Sequence, residues 1–178
     1  MTFTKRTLLV IMALATVCLL SGCYDRVQRG EESVYHFAMW ARILVIGAGV
    51  ILIPLGILLL IFIKQRWGFI PIILGPVLLF LVGPSMFTDY VVVDANHFEA
   101  SYGLWFSPNV HHVKFRELRE LRHVAVRDSK NRIKYELHCK HMNGSVTVVH
   151  CGDLVRNAVE EILSKARAAG VSVHSDAP

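Results

Sequence analysis

Two apolar runs, Ala41–Ile63 and Gly68–Phe87, constrain this chain more than anything else in it. Each is about 20 residues long, and Arg42, at the lip of the first, is their only charged residue. That is the length an α-helix needs to cross a hydrocarbon layer of about 30 Å. Trp40 precedes the first run, Trp67 lies between the two and Tyr90 follows the second. Indole and phenol rings favour the headgroup level, so these residues mark interfaces. Only residues 64–67 (Lys-Gln-Arg-Trp) separate the runs, which predicts a tight antiparallel helical hairpin. Gly47, Gly49, Gly56, Gly75 and Gly83 would let the helices approach closely, and Pro54, Pro71 and Pro76 would kink them. A buried hairpin of a soluble protein is the alternative, but the remaining chain is too small to cover it.

Overall composition agrees. The 178 residues are 53% hydrophobic and 19% charged, against about a quarter charged in a soluble domain. The net charge of +5 is unevenly spread. Up to Phe87 there are seven basic and three acidic residues, leaving 12 basic and 11 acidic beyond it. The basic excess thus flanks the membrane segments, and nucleic acid is not an expected partner.

Lys5 and Arg6 precede the apolar run Leu8–Leu20, which ends in Leu20-Ser21-Gly22-Cys23. A basic start, a short apolar stretch and small residues describe a secretory signal. The final four residues resemble the lipobox of bacterial lipoproteins, which implies cleavage after residue 22 and lipidation of Cys23. An uncleaved signal anchor is the alternative. The expected layout is a signal peptide at 1–22, an extracytoplasmic segment at 23–40, helices at 41–63 and 68–87 joined by a cytoplasmic turn at 64–67, and an extracytoplasmic domain at 88–178. Two arguments give this orientation. Lys64 and Arg66 in the turn favour the cytoplasm, and the signal delivers Tyr24–Trp40 to the opposite face.

The last 91 residues read as α+β. Tyr90–Asp94, His97–Tyr102, Val110–Phe115 and Leu121–Arg127 have strand character. Ile133, Tyr135, Leu137 and Cys139 alternate with Arg132, Lys134, Glu136 and His138, the half-buried strand pattern. A two-residue turn at Asn143-Gly144 would place Cys139 opposite Val148, with Val146 and Val148 facing inward. Asp153 is the expected N-cap of an amphipathic helix that buries Leu154, Val155, Ala158, Val159, Ile162, Leu163 and Ala166. Gly170 stands where a C-terminal cap belongs. A membrane hairpin followed by strands, the segment Val113-Lys114-Phe115-Arg116-Glu117-Leu118, a turn-Gly hairpin and a closing helix resembles the bacterial pleckstrin-homology-like membrane proteins. The resemblance spans residues 88–173 and implies a sheet or partly open barrel closed by the C-terminal helix, used for binding or scaffolding. Six strands are legible where that fold has seven, and such domains commonly face the cytoplasm.

Chemistry-bearing residues are scattered. His111, His112, His138, His141, His150, Cys139 and Cys151 could ligate a metal, but sequence neighbours on a strand point to opposite faces and do not converge. The inferred register also separates Cys139 from Cys151 too far for a disulfide. Nine basic residues against four acidic ones between Val110 and Lys140 leave Arg127, Lys130, Arg132 and Lys134 as candidates for contact with anionic headgroups or a partner. No catalytic motif is legible, and no metal or other cofactor is implied. The reading is a non-enzymatic envelope protein of the bacterial inner membrane whose domain binds a protein partner or the membrane surface. A small enzyme or metal protein, and an accessory subunit of a membrane complex, are the alternatives.

Overall fold

The computed structural model describes residues 24–63, 69–127 and 129–176. The signal region, Cys23 and the turn at 64–67 lie outside them. Helix α1 spans Met39–Ile63 and α2 spans Phe69–Val77. The second run then continues as a π-helical turn, Leu78–Val82, and a short helix α3, Gly83–Thr88. Met39–Ile61 and Phe69–Thr88 are thus long and apolar enough to cross a membrane, and little of either is buried within the protein.

The two runs pack antiparallel through their glycines. A Cβ on Gly75 would lie 2.6 Å from the Ile53 side chain and 2.9 Å from the Gly49 carbonyl, while one on Gly49 would meet Leu79 at 2.9 Å. Gly83 is similarly closed off by Ile46, whereas a Cβ on Gly47 would stand in open space.

Among the described residues nine strands form two sheets. The first has the order β1-β2-β3-β4-β5, all antiparallel, from Tyr24–Arg29, Glu32–Phe37, Tyr90–Val93, His97–Leu104 and Ser107–Lys114. The second has the order β8-β7-β6-β9, from Val146–His150, Ile133–His141, Leu118–Arg127 and Ser172–Ser175, with β9 parallel to β6. Helix α4, Asp153–Ala168, packs its apolar face on both. One core joins Tyr35, Val91, Phe98, Phe115, Leu121, Leu137 and Ile162.

Three expectations are corrected. The segment before α1 is a hairpin, β1–β2, whose second strand pairs with β3, so the domain is assembled from both sides of the helical pair. Gly30, at φ 67°, opens its two-residue turn. The β7–β8 connection is one residue longer than a two-residue turn. His141 N–H donates to Ser145 O across Met142-Asn143-Gly144, and Gly144 takes φ 86°. Cys139 therefore faces Thr147, and a shift of one residue exchanges the faces of the returning strand. Val149 is buried against Leu137, while Val146 and Val148 are exposed. Finally, Asp153 begins helix α4, and Gly152 occupies the N-cap. At the other end Gly170 closes the helix as expected: Gly170 N–H bonds Arg167 O and Val171 N–H bonds Ala166 O, with Gly170 at φ 84°.

Candidate functional site

Where the helices meet the β domain, a groove of about 450 Å³ opens. It is lined by Leu44 and Val45 of α1 with Leu81 and Val82 of the π turn. Phe37, Trp40, Asp89, Asp153 and Leu104 of the β4–β5 hairpin also belong to the lining. The lining is mostly apolar, with Asp89 after the last residue of α3 and Asp153 at the start of α4 as its acidic members.

Backbone features position these groups. Asp89 follows the last helical residue, where an extended conformation releases the chain into β3. Its Oδ1 accepts the N–H of Gly103 at 3.1 Å, tying the end of α3 to β4. Burial pushes its carboxyl up to about 6, against which that single hydrogen bond acts weakly. Ser85 Oγ donates to Leu81 O at 2.7 Å and accepts Trp105 N–H at 3.2 Å. The Trp105 indole Nε1–H donates to Phe80 O at 2.8 Å. In a regular α-helix that carbonyl would take its bond from residue 84, which is a proline and has no N–H.

The hairpin β1–β2 is pinned to α4 by a polar knot. Ser33 Oγ donates to Glu161 Oε1 at 2.7 Å and Tyr35 OH donates to Oε2 at 2.6 Å. Arg26 pairs with Glu161 at 2.8 Å, and Lys165 Nζ donates to Glu31 O at 2.8 Å. Burial pushes the Glu161 carboxyl upward, but the two hydroxyl donors and the charges of Arg26 and Lys165 together hold it below its ordinary value. Tyr35 moves the other way, raised to about 12 by burial and by its bond to Glu161.

The basic candidates gather at the β6–β7 tip without forming one face. Val126 pairs with Lys134 and Arg127 with Ile133, so Arg127 and Lys134 project to opposite sides. Arg127 bonds Asn131 Oδ1 at 3.4 Å, and Lys130, Arg132 and Lys134 also make contacts of their own. The histidines disperse among carboxylate and hydroxyl partners: His112 on Glu99, His138 and His150 on Glu136, His111 on Tyr102. Among the described residues no three metal-ligating side chains converge. Cys139 and Cys151 are free thiols, each pushed up to about 12 by burial. A second cleft, of about 350 Å³, lies between β6, β7 and α4, lined by His123, Tyr135, Arg156, Asn157 and Glu160. His123 Nε2 is buried there without a partner.

The residues of the junction groove escape a reading by motif because they come from six separate elements, β2, α1, the π turn, α3, β4 and α4, and the link after α3. Two signals were nonetheless present. Asp89 directly follows an apolar run, and residues 100–113 hold Leu104-Trp105-Phe106 with no Asp, Glu, Lys or Arg. Compared with known proteins, the chain matches no protein family, no curated protein and no solved structure.

Proposed function

We propose that this is a non-enzymatic, membrane-anchored envelope protein whose junction groove holds one lipid-like amphiphile. The chain of the amphiphile lies against Leu44, Val45, Leu81 and Val82, and its head meets Asp89 and Asp153. The observation that carries this reading is the lining of the groove, apolar residues of α1 and the π turn together with two acidic residues, Asp89 and Asp153. Two acidic residues in an otherwise apolar lining favour a head that carries an ammonium or hydroxyl donor.

Helix α1 and the run of α2, the π turn and α3 span the bacterial inner membrane in this account, and the β domain stands on the extracytoplasmic side. Lys64 and Arg66 in the intervening turn support that sidedness, and a lipidated Cys23 would add a second anchor just before β1. The lipid bilayer is the main partner. The four strands β2–β5, the three strands β6–β8 and the closing helix α4 are similar in number and order to the pleckstrin-homology-like arrangement. Strand β2, from before the helical pair, supplies the strand missing from residues 88–173. The accessory-subunit reading is less favoured, because Gly49, Gly75 and Gly83 are spent on contact within the hairpin and not offered to another subunit.

Native mass spectrometry of the full chain released from nanodiscs tests the groove. A retained amphiphile at one per chain, lost in Leu81→Trp with the fold intact by circular dichroism, is the expected result. An unliganded wild-type chain, or equal retention in Leu81→Trp, would overturn the proposal.

A further inference from the structure

We infer that the tip of the β4–β5 hairpin, Leu104-Trp105-Phe106, is a third membrane-inserted element that dips into the acyl-chain layer beside α2 and α3. This inference rests on the reading of Met39–Ile61 and Phe69–Thr88 as membrane-spanning.

The depth follows from contacts between known levels. Arg42 lies over the Phe87 ring at 4.9 Å, so these two residues are at one height. A guanidinium belongs at the headgroup level, and Trp40 lies one half-turn further out. Phe80 is seven residues below Phe87 on the same run, roughly 10 Å along the axis at about 1.5 Å per residue. Trp105 reaches that depth, because its indole N–H bonds the Phe80 carbonyl.

The chemistry of the tip suits such a position. Leu104, Trp105 and Phe106 are all exposed on the protein itself, at 44%, 48% and 59%. Residues 100–113 carry no formal charge apart from what His111 and His112 acquire on protonation. In the second sheet, one hairpin tip carries Lys130 and Arg132, and the other sets a single exposed apolar residue, Met142, beside Asn143 and Ser145. In hydrocarbon no water reaches the Phe80 carbonyl, and leaving such a group unsatisfied costs several kcal/mol. Trp105 supplies a donor at that carbonyl while presenting its ring to lipid. Its own backbone N–H is taken by Ser85 Oγ, so the turn brings no bare donor at this residue into the bilayer. The occupant of this apolar tip is therefore the lipid that already surrounds the helices, with which the tip is continuous.

The test uses the full chain in phosphatidylcholine vesicles with two single-tryptophan variants. One (Trp40→Phe, Trp67→Phe) retains Trp105, and the other (Trp67→Phe, Trp105→Phe) retains Trp40. Lipids brominated midway along the acyl chain, lipids spin-labelled at the headgroup, and aqueous iodide serve as quenchers. The expected result is a blue-shifted Trp105 emission, lost more to acyl-chain bromine than to headgroup label or iodide, and placed deeper than Trp40. If Trp40 is quenched by headgroup label while Trp105 responds mainly to iodide, the inserted tip is overturned and the spanning helices stand. If neither indole responds to any lipid quencher, the tip and the spanning reading both fall.

Discussion

Replacing Glu161 by alanine removes the group that pins β1–β2 to α4, and the cost follows from its contacts. Two buried hydroxyls, Ser33 and Tyr35, donate to its carboxylate at 2.7 and 2.6 Å. Hydrogen bonds to a charged group contribute roughly 1.5–3 kcal/mol each, and deletion of the acceptor strands both donors. The Arg26 pair adds little, since that side chain is half exposed and solvent screens it. The expected loss is about 3–5 kcal/mol, a large share of the roughly 5–15 kcal/mol that stabilises a domain. Glu161→Gln, which keeps an acceptor but loses the charge, should fall between the two. Hydrogen exchange of the full chain in detergent micelles, read peptide by peptide, should show Tyr24–Phe37 opening first while the amides of β7 stay protected. Tyr35→Phe combined with Glu161→Ala should cost less than the two single changes added together, because both delete the same bond. The knot also sets a pH window. Glu161 has a folded pKa below its unfolded value, so its stabilisation is complete above about pH 5 and fades as pH falls through the folded pKa. Tyr35, raised from 10.0 to about 12, loses its contribution as pH rises through that interval. A Glu161→Ala loss under about 1 kcal/mol, or uniform exchange across the domain, would refute the claim that this carboxylate holds the hairpin in place.

The remaining predictions concern single residues. Asp89 has a raised pKa, so the folded state holds its proton more tightly and stability should fall as pH rises from 3.8 to about 6; Asp89→Asn keeps an acceptor for Gly103 N–H, and thermal unfolding at pH 7.5 should show it more stable than wild type, with that slope flattened. Gly75→Ala forces a Cβ against Ile53 and the Gly49 backbone and should cost about 1–3 kcal/mol, whereas Gly47→Ala, which meets nothing, should be tolerated in the same unfolding assay. Cys139, with its thiol pushed up to about 12, should resist iodoacetamide at pH 7.5 in the folded chain and react after denaturation, as peptide mass spectrometry would report.

Hydropathy located the apolar helices to within about two residues, because lipid-length runs admit few other readings. Alternation located β3, β4 and β7, whose inward residues Val91, Val93, Phe98, Ala100, Leu137 and Cys139 are apolar and buried. It could not locate β2. The inward residues there include Ser33, whose partner Glu161 is 128 positions away, so a polar side chain occupies a core site that periodicity assigns to apolar ones. The β8 register failed by one residue because turn length, not strand composition, decides which valines face inward. Strand β9 is only four residues long and exposes three of them, which leaves almost no pattern. The junction groove depends on which element ends lie together, and Asp89 meets Gly103 only because β3 returns through β4. Local sequence carries no record of that closure.

Strands β1–β2 and β3 belong to one sheet, so both free ends of the helical pair lie on the same side of any membrane it crosses. The side is set by one measurement on the full chain in a bacterial host: alkaline phosphatase, or a fluorescent protein that matures only in the cytoplasm, fused after Pro178. Active phosphatase with a dark fluorescent fusion is the outcome this account predicts. A bright fluorescent fusion with inactive phosphatase would place the β domain in the cytoplasm and contradict it.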